Sequence, residues 1–255
     1  MRESRLKAKM ARGEPVVGTM IGELPVADAV RAMAVGGFDF LVVDNEHAPV
    51  PLETDLALYR EAGAAGIDML VRVPDAAYHL IARTLDAGAD GIMVPRVETE
   101  AQARVVVESA KYPPVGRRGC GQRPVYTGLE AVPLADYVDH LNRNTTVMIQ
   151  VESGLALENL DAMLAVGGID IALIGPADLS ISLGVPGQVD HPRMWEAINR
   201  VVDCCRRAGV YAGIHWGDPT FLTQAHGAGM QAIMYLTDAA MLAAAAKRAR
   251  GELAF

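Results

Sequence analysis

Eight short apolar segments alternate along the chain with amphipathic, alanine-rich segments, and this alternation limits the possible folds more than any other feature. The predicted strands are VVGTMI (16–21), FLVVD (40–44), DMLVRV (68–73), GIMVPRV (91–97), TVMIQVE (146–152), DIALIG (170–175), VYAGIH (210–215) and QAIMYL (231–236). Uninterrupted apolar strands that alternate with helices are typical of a parallel sheet covered by helices. Because eight strands can close a barrel, the sequence predicts an α/β fold, a single (β/α)8 barrel over residues 1–255.

Glycine marks the turns of this pattern, in segments such as AGGFD, AAGID and VGGID, where a helix ends and a strand begins. A doubly wound open sheet is the alternative fold. It requires a glycine-rich phosphate-binding turn directly after a strand, and GRRGCGQ (116–122) does not follow one. The one long connection, residues 112–144, is of the kind that forms lids or interfaces, with a short helix expected near 133–142.

Composition restricts the possible partners. The net charge of −8 and the absence of a basic stripe argue against nucleic acid, and 51% hydrophobic residues suit one large core. Three cysteines, Cys120, Cys204 and Cys205, favour a reducing compartment over a disulfide framework. The charged N-terminus lacks the apolar region of a signal peptide, and no apolar run approaches the roughly 18 residues of a membrane span. We therefore expect a cytoplasmic protein with no membrane partner.

Polar residues follow the predicted strands where a barrel carries its catalytic groups, at the carboxyl ends. They are Asp44, Glu46 and His47 after strand two, Arg72 and Arg96 on strands three and four, Gln150 and Glu152 on strand five, Gly175, Ala177 and Asp178 after strand six, and His215 on strand seven. Each alone has a structural explanation, such as an ion pair, a helix cap or a buried histidine. Together they predict one site on one rim of the barrel.

The residue types indicate the chemistry of this site. Two carboxylates without nearby cysteine or His-x-His spacing favour Mg²⁺ or Mn²⁺. Such an ion can polarise a ketone and stabilise an enolate, with an arginine as a second positive charge and His47 as a general base. The four lysines, Lys7, Lys9, Lys111 and Lys247, all lie away from strand ends, so Schiff-base chemistry is disfavoured.

Five successive blocks resemble the HpcH/HpaI aldolases, the metal-dependent class II pyruvate aldolases that include 2,4-dihydroxyhept-2-ene-1,7-dioate aldolase and 2-dehydro-3-deoxyglucarate aldolase. The blocks are FDFLVVDNEHAPV, LVRVP, ARTLDAGADGIMVPRVETEAQAR with YPPVGRRGCG, IQVESGLALENLD and GIDIALIGPADLSISLG. The resemblance extends from about residue 15 to 240. It implies cleavage of a 4-hydroxy-2-oxo acid to pyruvate and an aldehyde.

The resemblance also implies a role for each matching residue. Glu152 and Asp178 would hold the divalent metal, with Co²⁺ as a further candidate ion. Gln150 and the backbone from Gly175 through Ala177 to Asp178 would bind the pyruvate moiety, and Arg72 would bind the substrate and stabilise the enolate. His47 would be the acid/base, assisted by Asp86, across a subunit boundary, and by Asp44. The family implies a homohexamer, a trimer of dimers with an exchanged C-terminal helix.

Three positions depart from the family pattern. Asn45 stands where a glycine is usual, and we expect it to keep a positive φ. The segment QRPVYTG (122–128) replaces a small helix that contains alanine and arginine, and MYLTD (234–238) replaces a glycine-containing turn. The last two lie at the expected mouth of the barrel, so the aldehyde partner is the least determined feature.

Three other functions compete with the aldolase interpretation. Decarboxylation of oxaloacetate or a related 2-oxo diacid would use the same enolate. A coenzyme A thioester lyase would need a basic groove, for which Arg117, Arg118 and Arg123 are the only candidates. A barrel kept only as a binding module should have lost Arg72 or the two carboxylates, and all three are present.

Overall fold

Eight parallel strands pair in chain order and close into a barrel, with β8 beside β1. The computed structural model describes residues 1–48 and 50–253. The strands are β1 (Val16–Ile21), β2 (Phe40–Asp44), β3 (Asp68–Arg72), β4 (Gly91–Val94), β5 (Thr146–Val151), β6 (Ile171–Ile174), β7 (Tyr211–Trp216) and β8 (Ala232–Thr237). The predicted (β/α)8 barrel is thereby confirmed.

Helices cover the outside of the barrel. They are α1 (Arg5–Ala11), α2 (Ala27–Val35), α3 (Leu52–Ala65), α4 (Tyr78–Asp86), α5 (Glu100–Ala110), α6 (Pro124–Thr127), α7 (Leu134–Asn144), α8 (Gly154–Ala165), α9 (Pro176–Ser182), α10 (Pro192–Ala208), α11 (Pro219–Ala228) and α12 (Asp238–Gly251). Within residues 1–48 and 50–253, no helix has both the length and the apolar character needed to cross a membrane.

Side chains alternate between the barrel interior and the helix layer. Along β2, Phe40 and Val42 belong to the interior cluster, whereas Leu41 and Val43 pack in the larger cluster between strands and helices. Because the period of a strand is two residues, the next side chain on the interior face is that of Asp44. The apolar interior therefore ends in polar side chains at the carboxyl rim.

Helix α1 closes the opposite, amino-terminal end of the barrel. Leu6 is fully buried in the interior cluster, and its backbone N–H donates to Asp68 Oδ2 at 2.5 Å. The hydroxyl of Ser4 donates to the same oxygen at 2.8 Å, and Arg2 Nη1 lies 3.1 Å from the other carboxylate oxygen. Helix α1 therefore covers the barrel interior at its amino-terminal end.

The long connection between α5 and β5 has its own small apolar cluster. Tyr112, Tyr137 and Leu141 are buried together, with the two tyrosine rings 6.4 Å apart between centroids. The helix expected near 133–142 is confirmed as α7, and α6 begins at the proline of the unusual 122–128 segment.

Strand bounds agree closely with the sequence predictions. β1 and β2 have the predicted bounds, β4 ends earlier, at Val94, and β8 extends to Thr237. Arg96 was assigned to strand four, which is wrong: it lies two residues beyond the strand, with a φ of 51°. Helix α10 ends at Ala208, and the next residue, Gly209, has a φ of 68°, the left-handed conformation expected of a glycine stop.

Candidate active site

Asp44 and Arg72 lie side by side at the carboxyl rim, because β2 and β3 pair these two residues directly. Nε and Nη2 of Arg72 donate to the two carboxylate oxygens at 2.8 and 2.7 Å. Burial alone would raise the pKa of Asp44, but the hydrogen bonds and positive charge of Arg72 outweigh it and hold the pKa below its ordinary value. The guanidinium is thereby fixed in position by an ionised carboxylate.

Glu46 bridges two arginines next to this pair. Its Oε2 lies 3.3 Å from Nη1 of Arg72, and its Oε1 lies 3.0 Å from Nη2 of Arg96. Nε2 of His47 is 3.6 Å from Glu46 Oε2. No role for Glu46 is predicted from the sequence, although its place between Asp44 and His47 is the available signal.

His47 is the most exposed member of this group, with 65% of its side chain accessible. Asp44 accepts the backbone N–H of His47 at 3.2 Å, and its carboxylate pairs with Arg72 rather than with the imidazole. Asn45 does not have a positive φ, so that expectation is wrong. Its side chain amide instead donates to the buried Asp55 at 2.7 Å, which anchors the start of the loop that carries His47.

Glu152, Gln150 and Gly175 meet at the ends of β5 and β6. A Cβ atom on Gly175 would lie 3.0 Å from Glu152 Oε2 and 3.4 Å from Gln150 Nε2, so glycine gives both side chains room. Glu152 Oε1 accepts the backbone N–H of Arg96 at 2.7 Å. The side chain oxygen of Gln150 is buried and has no hydrogen-bond partner in the described structure, which leaves it available to a ligand.

Glu152 and Asp178 provide the two carboxylates expected to hold a metal. Burial raises the pKa of Glu152, and the negative charges of Asp178 and Glu46 raise it further. Residues 1–48 and 50–253 contain no cluster of three or more His, Cys, Asp or Glu side chains suited to a metal. Two crowded carboxylates nevertheless fit a hard divalent ion whose remaining positions are filled by water and substrate oxygens, as Mg²⁺ prefers.

A cavity of about 340 Å³ opens at this rim. Its lining includes Arg72, Gln150, Gly175, Ala177 and Asp178 from the predicted set, together with His215. The imidazole Nε2 of His215 lies 2.8 Å from the carbonyl oxygen of Leu236, and burial lowers the pKa of His215. This histidine therefore faces the cavity mainly in its neutral form.

Asp86 lies elsewhere. It is the last residue of α4, the helix that leads into the amino-terminal start of β4, so it sits at the other end of the barrel from His47. Its carboxylate accepts a hydrogen bond from Nη2 of Arg118 at 2.5 Å. Arg118 is itself buried, so it does not contribute to an exposed basic groove of the kind a coenzyme A lyase would need.

Comparison with known proteins identifies the family. A profile of the HpcH/HpaI aldolase/citrate lyase family matches residues 24–242. The chain belongs to this family. A 2-keto-3-deoxy-L-rhamnonate aldolase from Klebsiella pneumoniae is 38% identical over 213 residues, which cover 84% of this chain and 79% of the relative.

Two solved structures resemble the chain over nearly its whole length. An HpcH/HpaI aldolase from Desulfitobacterium hafniense has a TM-score of 0.91 and 35% identity, covering 98% of this chain and 97% of its own. The citrate synthase SbnG has a TM-score of 0.84 and 26% identity, covering 97% and 99%. The HpcH/HpaI chain described here is thus an aldolase-type enzyme, a carbon–carbon lyase.

Residues at the ends of β7 and β8 also line the cavity of this HpcH/HpaI barrel, although none of them is among the site residues predicted from the sequence. They are Trp216, Gly217, Leu236 and Thr237. The departure of MYLTD from the family pattern was a signal for the β8 residues. For Trp216, the only sequence feature that could have indicated a place in the cavity is its position directly after a predicted strand.

Proposed function

We propose that the protein is a divalent-metal-dependent pyruvate aldolase that reversibly cleaves a 4-hydroxy-2-oxo acid to pyruvate and an aldehyde. One observation carries the proposal: a single cavity brings together Arg72, Gln150 and Asp178, and Glu152 lies beside it at the contact with Gly175. This set offers a fixed cation, a side-chain amide with N–H donors and two hard oxygen ligands, which suit a 2-oxo acid and its enolate.

Arg72 retains donors for the substrate although it is paired with acids. A guanidinium has five N–H groups. Nε and Nη2 use one each on Asp44, and Nη1 lies in a 3.3 Å ion pair with Glu46. One hydrogen on each terminal nitrogen remains, and both can stabilise the negative charge that develops on the enolate oxygen.

Glu152 and Asp178 are the residues that would hold Mg²⁺ or Mn²⁺. When bound, such an ion supplies Lewis-acid polarisation of the 2-oxo group. Gln150 and the backbone at Ala177 and Asp178 bind the pyruvate moiety. All three residues line the cavity, where the side-chain amide N–H groups of Gln150 and the backbone N–H groups can donate to the carboxylate and keto oxygens.

His47 performs the proton transfers. Its imidazole removes the proton of the C4 hydroxyl, the C3–C4 bond breaks, and its electron pair passes to the pyruvate portion as an enolate while the aldehyde departs. Protonation at C3 then releases pyruvate. Glu46 lies within 3.6 Å of the imidazole nitrogen and can stabilise the ring when it carries the proton.

Asp86 can assist His47 only from a neighbouring copy, because the two residues lie at opposite ends of one barrel. We infer a homohexamer, a trimer of dimers in which α12 of one subunit packs on a neighbouring subunit. We further infer that the protein acts in the cytoplasm. The exposure of α12 along nearly all of residues 242–250 supports such packing. Mass measurement in solution would test the assembly, and a monomer would contradict it.

The first substrate to test is 2-keto-3-deoxy-L-rhamnonate, because relatives at 36–38% identity carry its name. Pyruvate release is measured with protein treated with chelator and then reloaded with Mg²⁺, Mn²⁺ or Co²⁺. We expect chelation to abolish activity and a divalent ion to restore it; full activity after chelation would refute the proposal.

Arg72→Ala should lower kcat on the order of 10²-fold, by analogy with loss of an oxyanion donor. Arg104→Ala is the matched control, because Arg104 lies on α5 in an exposed pair with Glu100. An unchanged kcat in Arg72→Ala would remove this residue from the mechanism.

A second candidate is decarboxylation of oxaloacetate or a related 2-oxo diacid, with capture of the enolate by another acceptor. Loss of carbon dioxide from oxaloacetate would leave the same pyruvate enolate in the cavity beside Arg72 and Gln150. Carbon dioxide release from oxaloacetate without aldehyde-dependent condensation would support it over the aldolase.

A further inference from the structure

Strand β8 contains a bulge where it passes the active site. Gly18 of β1 pairs with Met234, and Met20 pairs with Thr237, so one β1 residue, Thr19, stands opposite two β8 residues. The extra pair is Tyr235 and Leu236. Bulges of this kind change the direction of a side chain and are common beside active sites.

The backbone of Leu236 is held in an unfavourable conformation. Its φ of 56° lies in the left-handed region that favours glycine. Two groups fix the peptide there: the hydroxyl of Thr19 donates to the carbonyl of Leu236 at 3.3 Å, and Nε2 of His215 lies 2.8 Å from the same oxygen. Strain kept by surrounding contacts points to function.

The side chain of Leu236 does not serve the core. It is half-buried, belongs to neither of the two main apolar clusters, and lines the cavity that contains Arg72 and Asp178. A Cβ atom on Gly217 would lie 3.4 Å from its Cδ2, so the side chain reaches towards the end of β7. With Trp216 it gives that side of the cavity an apolar wall.

We propose that Leu236 is a specificity-determining residue that limits the size of the organic group the cavity accepts beyond the reacting carbons. This inference rests on the proposed aldolase function and adds a limit on substrate size. The bulge and the positive φ place the isobutyl group in the cavity, where glycine would leave open space. The enzyme therefore favours short, unbranched partners over bulky ones.

The test compares Leu236→Gly and Leu236→Ala with the wild-type holoenzyme. Pyruvate is condensed with aldehydes of increasing length, and a fixed short aldehyde with 2-oxo acids of increasing length. We expect the ratio of kcat/KM for the bulkiest accepted partner to kcat/KM for the smallest partner to rise about 10-fold or more in both variants, the range for altered apolar contacts in a pocket.

Leu129→Gly is the matched control. Leu129 is also a leucine with positive φ, 71°, but it is 85% exposed and does not line the cavity. Both glycine variants relieve the same kind of backbone strain, so both should keep or raise Tm. Only the Leu236 variants should widen the substrate range.

Binding gives a readout independent of turnover. Calorimetry of 2-oxo acids from pyruvate to 2-oxohexanoate, with Mn²⁺ present, should show tighter binding of the longer acids to Leu236→Gly than to wild type. An active wild type with the same size profile and binding series as both variants would overturn the Leu236 proposal. A wild type that releases no pyruvate from any hydroxy-oxo acid would instead refute the proposed function, and the binding series would then decide the role of Leu236.

Discussion

Asp44 connects Arg72 to the loop that carries His47. While its two oxygens accept hydrogen bonds from the Arg72 guanidinium, Oδ1 also accepts the backbone N–H groups of Glu46 and His47 at 3.1 and 3.2 Å. One carboxylate therefore sets the orientation of the proposed enolate-binding cation and the start of the acid/base loop. Displacement of either group by an ångström would disturb the geometry of the reaction.

Asp44→Asn should therefore damage catalysis while leaving the fold in place. An amide keeps one acceptor but loses the charge and the second acceptor, so Arg72 is held less firmly. We expect kcat to fall about 10- to 100-fold with a smaller change in KM, measured by steady-state pyruvate release. Asp136→Asn on the exposed face of α7 is the control, and equal kinetics in the two variants would contradict the role.

The same substitution has a predicted signature in acid. The pKa of Asp44 is lower in the folded state, so its stabilising contribution is present above its unfolded pKa of about 3.9 and is lost as pH falls through the folded pKa. The difference in free energy of unfolding between wild type and Asp44→Asn should be largest near neutral pH and shrink below about pH 4. Urea unfolding over this range measures it; a constant difference would argue against the ion pair.

Removal of the metal should expose repulsion between carboxylates. Glu152 is buried near the negative charges of Asp178 and Glu46, so the metal-free protein should be stabilised when Glu152 is neutralised. We expect Glu152→Gln to raise Tm without metal and to lose the increase that Mn²⁺ gives the wild type. Differential scanning calorimetry of chelated and Mn²⁺-loaded protein provides the readout. An equal rise in Tm with Mn²⁺ in wild type and Glu152→Gln would show that the ion binds elsewhere. Glu158→Gln, on the exposed surface of α8, is the control and should respond to Mn²⁺ as the wild type does.

The strands, and most of the polar residues at the carboxyl rim, could be predicted from the local sequence. The run FLVVD predicted β2 and, through its two-residue period, the inward direction of Asp44; the same reasoning placed Gln150 and Glu152 on one face. The position of Leu236 could not be read in this way. Its bulge depends on the register between β1 and β8, which are joined by more than two hundred residues of intervening chain. Likewise, Asn45 contacts Asp55 only because α3 packs beside the end of β2, and this packing could not be inferred from the local sequence. The expectation of a glycine-like positive φ at Asn45 was therefore wrong.

Asp55 gives a test of that unexpected contact. It is 2% exposed, and burial raises its pKa, although the hydrogen bond from Asn45 opposes the shift. A raised folded pKa means that its favourable contribution is present below the unfolded value of about 3.9 and is lost as pH rises through the folded pKa. Asp55→Asn keeps an acceptor for Asn45 without the buried charge, so it should gain stability relative to wild type as pH rises above about 4, over the interval between the unfolded and the folded pKa of Asp55. Urea unfolding checks this, and a relative loss over that interval would contradict it.

Lys111 should make the protein more stable in mild alkali. The side chain is 3% exposed and donates to the carbonyl oxygens of Asn142 and Thr145 at 2.9 and 2.5 Å, and burial lowers its pKa to about 8. The unfolded chain keeps this proton up to about pH 10.4, so the unfolded state binds more protons between these values and the free energy of unfolding rises with pH.

The rise attributable to Lys111 is about 3 kcal/mol at most over the whole interval. Lys111→Met removes the titrating group while it keeps an unbranched side chain in the buried space. The increase in free energy of unfolding from pH 8 to pH 10 should therefore be smaller in the variant, and subtraction cancels the tyrosines and cysteines that titrate in both proteins. Lys247→Met, on the exposed face of α12, should follow the wild type. An identical rise in the Lys111 variant would show that the buried amine is not the group responsible.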